Sequence, residues 1–89
     1  MTSRHDVYAA LDSERTYQGK WETESESKGK HSIDEFLAYM EDYIDEAQHI
    51  LAREIVQDSY PVVIHILRKI TALGVAAMEQ HGAPIREAN

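Results

Sequence analysis

Apolar residues recur at helical spacing in three stretches of this chain, and no segment alternates as a half-buried strand would. From residue 6 to 18, Val7, Ala10, Leu11 and Tyr17 gather on one side, with Asp6 placed to cap the start and Gly19 to stop the helix. The second stretch opens on Ser32-Ile33-Asp34-Glu35, the spacing of a capping box, in which hydroxyl and carboxylate each satisfy the other residue's backbone N–H. Beyond it, Ile33, Phe36, Met40, Tyr43, Ile44, Ala47 and Leu51 share one side of a 100° wheel, and Asp34, Glu35, Glu41, Asp42, Asp45 and His49 the other. The pattern predicts a helix over 32–55. A third helix is expected over 61–81, with Pro61 in the first turn and Gly82 just past the end.

The pieces between are polar. Residues 19–31, which include Glu22-Thr23-Glu24-Ser25-Glu26-Ser27-Lys28-Gly29-Lys30, read as an exposed, mobile loop, and 82–89 as an extended tail. The chain is therefore expected to be a single all-α domain over 1–89, with its second and third helices forming an antiparallel hairpin. The apolar arc of the third helix covers well over half its circumference, including Val62, Val63, Ile64, Ile66, Leu67, Ile70, Leu73, Gly74, Ala77 and Met78. Two neighbouring helices in 89 residues do not cover so wide an arc, which predicts an oligomeric bundle, most simply a homodimer.

Composition narrows the function classes. A net charge of −7 without clustered Lys and Arg argues against binding a nucleic-acid backbone. No apolar run reads as a membrane span and the N-terminus has no signal-like apolar region, so a soluble, cytoplasmic protein is expected. There is no cysteine, hence no disulfide or thiol chemistry. His5, His31, His49 and His81 show no metal-ligand spacing. Trp21 reads as a plug at the end of a small core or as a stacking platform for a base, and the five tyrosines as core-edge residues with wet hydroxyls.

The chemistry-bearing candidate is Met40-Glu41-Asp42-Tyr43-Ile44-Asp45-Glu46-Ala47. Asp42 and Asp45, three apart on a helix, have Cβ atoms about 5–6 Å apart and can flank a Mg²⁺ ion; the same residues also fit the wet face of an amphipathic helix. Across the chain, Glu14-Arg15-Thr16-Tyr17-Gln18-Gly19-Lys20-Trp21, Glu41-Asp42-Tyr43-Ile44-Asp45 and Leu67-Arg68-Lys69-Ile70-Thr71-Ala72-Leu73-Gly74 together resemble the MazG-like all-α nucleotide pyrophosphohydrolases, especially their short phage-type members. That resemblance implies cleavage of a nucleoside triphosphate by Mg²⁺-activated water. Asp42 and Asp45 would be the metal ligands, assisted by Glu41 or Glu46 as catalytic carboxylates; His65, Arg68 and Lys69, where the chain departs from the family, are candidate substrate-binding groups by their own chemistry. The family's third helix normally adds a second acidic pair. Here that turn reads His65-Ile66-Leu67-Arg68-Lys69, so only half the metal shell is visible and a degenerate, non-hydrolysing member fits the pattern. In this position Arg68 and His65 either contact phosphate or pair with Asp42, Asp45 or Glu46 across the interface. The rival expectation is a non-enzymatic acidic interaction protein that binds a basic partner surface.

Overall fold

A computed structural model describes residues 1–53 and 56–87. Three helices account for most of them: α1 (Arg4–Glu24), α2 (Ile33–Arg53) and α3 (Val56–His81), with no strand among the described residues. The all-α expectation holds. The helix boundaries differ at instructive places.

The start of α1 is capped by Ser3, whose hydroxyl accepts from the Asp6 amide at 3.1 Å; Asp6 lies inside the first turn, where a carboxylate favours the helix dipole. The helix does not stop at Gly19. That residue has helical geometry, and a glycine weakens a helix interior by about 1 kcal/mol without ending it. Arg15 ties together the turns on either side, donating to Gln18 and Glu22 at 2.9 Å each. The stop comes at Ser25, whose amide still reaches the Trp21 carbonyl and whose hydroxyl accepts from the Gly29 amide.

The connection from α1 to α2 is therefore shorter and tighter than the expected loop over 19–31. Lys28 and Gly29 take positive φ values of 55° and 75°, and Gly29 is buried. A Cβ on Gly29 would collide with the Glu22 side chain. The capping box forms as the sequence predicts: the Ser32 amide donates to Glu35 at 3.0 Å and the Glu35 amide to the Ser32 hydroxyl at 3.1 Å. The last two residues expected in the second helix, 54 and 55, lie outside the described residues.

α3 begins at Val56, five residues ahead of Pro61, so the proline sits inside the helix and not at its first position. It forgoes one backbone hydrogen bond there. At the far end, Gly82 (φ 117°) sends its amide to the Met78 carbonyl at 2.9 Å, the glycine C-cap the sequence predicts. The tail over 82–87 carries no regular structure.

α3 lies between the other two helices, which do not pack on one another. It packs most extensively on α2 and runs antiparallel to it, as the contacts of His31 with Gln80 and His81 show. It runs in the same sense as α1: Thr2 and Val7 lie near Ile64, while Arg15 reaches Glu79. The buried apolar core is correspondingly thin, consisting of Phe36, Ile66, Ala72 and Ala76 among the described residues. The two alanines let flanking helices come close to α3.

One expectation changes at this level. The segment Asp58–His81 is long and apolar enough, by length and composition, to cross a membrane. Its apolar run is interrupted near the middle by Arg68 and Lys69. Each such charge would cost roughly 2.5–3.5 kcal/mol at a bilayer centre, and here Arg68 is spent on an ion pair with α1. The same composition serves the central helix of this bundle.

The two glycines of the first half should respond in opposite directions. Gly29→Ala must hold a left-handed backbone and displace Glu22, and should cost about 1–3 kcal/mol in urea denaturation. Gly19→Ala, with nothing within 4 Å of the added methyl, should stabilise by about 0.4–1 kcal/mol. The capping box gives a pH signature. The Ser32 amide, helped by the Ser32 hydroxyl and the His31 ring, holds Glu35 below the usual carboxylate range. A lowered folded value means that its stabilisation is present above the unfolded carboxylate pKa and is lost as pH falls through the folded one. Ser32→Ala should raise the Glu35 pKa in an NMR titration and remove about 1 kcal/mol of stability.

Candidate functional site

Because α1 and α2 stand apart, an open groove of about 370 Å³ runs between them over α3. Tyr17 and Trp21 from α1 face Tyr39 and Tyr43 from α2, with Lys69, Leu73 and Ala76 of α3 as the floor. Helical spacing produces this arrangement. Tyr17 and Trp21 are four apart, as are Tyr39 and Tyr43, so each pair projects from successive turns of its helix. Tyr17 and Trp21 meet edge to face with ring centres 6.2 Å apart. The Lys69 ammonium lies 5.7 Å from the centre of the Tyr43 ring, within cation–π range.

One end of the groove is closed by His31, whose ring packs edge-on against Phe36 at 5.5 Å and Tyr39 at 5.2 Å. Its backbone amide is held by Gln80 and its carbonyl by the His81 ring. Its Nδ1 is buried without a hydrogen bond, 3.6 Å from the Glu35 carboxylate.

An ion-pair network supports the α1 wall. Glu14, only 6% exposed, accepts from Nε of Arg68 at 2.8 Å. Arg15 donates to Glu79 of α3 at 2.7 Å as well as to Gln18 and Glu22. Burial, the largest single influence on Arg15, pulls its pKa down. The hydrogen bonds and charges of Glu22 and Glu79 together outweigh it and leave the guanidinium above its ordinary value. Arg68 also donates to Nδ1 of His65. A guanidinium only donates, so this contact requires the neutral imidazole to carry its proton on Nε2.

The sequence candidates are therefore distributed over different surfaces. Lys69 lines the groove. Arg68 is turned to α1 and neutralised by Glu14, and pairs with none of Asp42, Asp45 or Glu46. His65 is exposed and engaged by Arg68. Glu41, Asp42, Asp45 and Glu46 are all exposed, outside the groove lining, and form no ion pair or hydrogen bond through their side chains with a described residue. On α2, Asp45 sits about half a turn from the buried Phe36, so it projects away from α3. Among the described residues no group of three or more His, Asp and Glu side chains is placed to hold a metal ion. The second acidic pair that the resemblance implies on the third helix is absent from the His65–Lys69 turn, and Glu79, farther along α3, is occupied by Arg15.

In the sequence Glu14, Arg15 and Gln18 carry only a resemblance, yet Glu14 and Gln18 line the groove; Trp21 lines it too and is 60% exposed, so it does not plug the core. A usable signal was present. A glutamate on the same face as Leu11 and Gln18 of a helix with weak amphipathic character is one that needs a cation from a neighbouring element.

Breaking the Glu14–Arg68 pair from one side should be costly, since it strands a largely buried charge. Glu14→Gln should lower stability by about 2–3 kcal/mol, less than for a fully enclosed pair because Arg68 retains some solvent contact. The double change Glu14→Gln with Arg68→Met should recover part of that loss in thermal denaturation, which a purely additive pair would not do.

Compared with known proteins, the chain matches no family model, no curated protein and no solved structure.

Proposed function

We propose that this chain binds a nucleoside phosphate in the groove between α1 and α2, as a non-hydrolysing protein resembling the MazG-like pyrophosphohydrolases. One observation carries the reading: Glu14, Gln18 and Trp21, from the segment on which that resemblance rests, line the same groove as Tyr39, Tyr43 and Lys69. A base enters between the tyrosine and tryptophan faces, where stacking contributes about 1–3 kcal/mol per base. The Lys69 ammonium meets the phosphate end as a flexible point charge. The groove volume falls within the range of small-molecule sites. Asp42 and Asp45 are exposed, and no third His, Asp or Glu is placed to complete a metal site with them among the described residues, which favours binding over metal-dependent cleavage. Nucleoside phosphates are abundant in the cytoplasm, which is the location this reading favours.

Trp21 is the single tryptophan, so its fluorescence reports the groove directly. Deoxynucleoside triphosphates should quench it saturably, with and without EDTA. Lys69→Ala and Tyr43→Ala should each weaken binding by about tenfold, while Asp42→Asn and Asp45→Asn leave it unchanged. Absence of any saturable response would remove the binding function. Binding that requires Mg²⁺ and disappears in both aspartate variants would return the site to α2 and restore the hydrolase reading.

The exposed acids of α2 favour a second reading, in which Glu41, Asp42, Asp45 and Glu46 engage a basic protein surface. That reading expects EDTA-insensitive, salt-weakened binding to a basic protein, lost in the same aspartate variants.

A further inference from the structure

The face of the bundle opposite the groove is apolar and uncovered. Along α3, Tyr60, Ile64, Leu67, Thr71, Gly74 and Met78 follow one another at spacings of four and three, the period of a helix–helix seam. Tyr60, Ile64, Leu67 and Met78 remain between 47% and 61% exposed. Ile33, Leu37 and Ile44 continue the face on the flank of α2 away from Tyr39 and Tyr43, and Val7 continues it on α1.

Gly74 adds a separate observation. A glycine in the middle of a 26-residue helix weakens it by about 1 kcal/mol relative to alanine. Nothing within the chain asks for it: a Cβ there would meet only the end of Met40, at an ordinary 3.9 Å. Its φ is not positive, and it caps nothing. What a glycine at the centre of an apolar seam permits is the close approach of another helix.

We propose that this face pairs two copies of the chain about a two-fold axis, with the α3 helices crossing near Gly74. Three features select a second copy over other occupants. A two-fold axis near Gly74 would set Thr71 and Met78, its neighbours along the seam, against the same residues of the second copy. Eight large side chains about half exposed offer on the order of 700–800 Å² per protomer, close to what a stable interface buries on each side. The six seam positions on α3 carry no charge, so two chains of net charge −7 can bring them together without apposing acids there; the charges nearest them, Asp6 and Arg68, are of opposite sign. The inference does not rest on the groove having a ligand.

The test is analytical ultracentrifugation of the full chain across protein and salt concentrations. A monomer–dimer equilibrium is expected, tightening as salt screens the −7 charges, the opposite of an acid-to-base contact. Leu67→Glu should abolish the dimer while circular dichroism shows the helices retained. Gly74→Ala is the more discriminating variant: under conditions where the chain is monomeric its melting temperature should hold or rise, yet its dimer should weaken by roughly tenfold or more. A chain monomeric at all accessible concentrations would overturn the proposal, as would a dimer indifferent to both substitutions. A monomer that sediments with neutral phosphatidylcholine vesicles would overturn it as well and give the face to a lipid surface.

Discussion

The separation of α1 from α2 governs the rest of this structure. In a closed three-helix bundle each helix packs on both others, and the apolar arcs meet at a common axis. Here α3 alone mediates, with α2 antiparallel on one side and α1 parallel on the other. Two consequences follow from the geometry of a middle helix with two neighbours. A trough opens on the side where the aromatic flanks of α1 and α2 look at each other across α3. A second, flatter strip of α3 is left bare on the reverse side. The thin apolar core of Phe36, Ile66, Ala72 and Ala76 is the cost of this layout, since small residues that let helices approach contribute little buried area of their own.

With so little apolar burial between α1 and α3, polar contacts set how these helices register. Glu14 and Arg15 are adjacent on α1 but reach Arg68 and Glu79, which lie eleven residues apart on α3. Two long guanidinium arms thus spread from one crossing, one given by each helix, and fix both the height and the angle of α1. The pairing also decides what the groove can do. It turns Arg68 toward α1 and leaves Lys69 as the cation at the groove floor.

The sequence carried much of this and concealed some of it for definable reasons. The capping box at Ser32 and Glu35 and the glycine cap at Gly82 were legible because each is a local device whose partners lie within four residues. Boundaries failed where a residue has two uses. Pro61 fits a first turn yet sits well inside α3, and Gly19 fits a stop yet is spanned by the side chain of Arg15. The helical spacing of Asp42 and Asp45 was legible too, but spacing gives no direction relative to neighbours, and α2 turns Asp45 outward because Phe36 and Tyr43 take the inner side. The Glu14–Arg68 and Arg15–Glu79 pairs join residues more than fifty positions apart, and no periodicity within one helix reveals them.

The turn between α1 and α2 is shaped by groups that lie far downstream. The Gly29 carbonyl accepts from Gln80, the His31 amide donates to Gln80, and the His31 carbonyl meets the His81 ring, links that span 49 to 51 residues. The final shape of the turn, and with it the His31 end of the aromatic trough, must wait until translation has passed residue 81. The first bend in the chain therefore depends, for its full set of hydrogen bonds, on the last turn of α3.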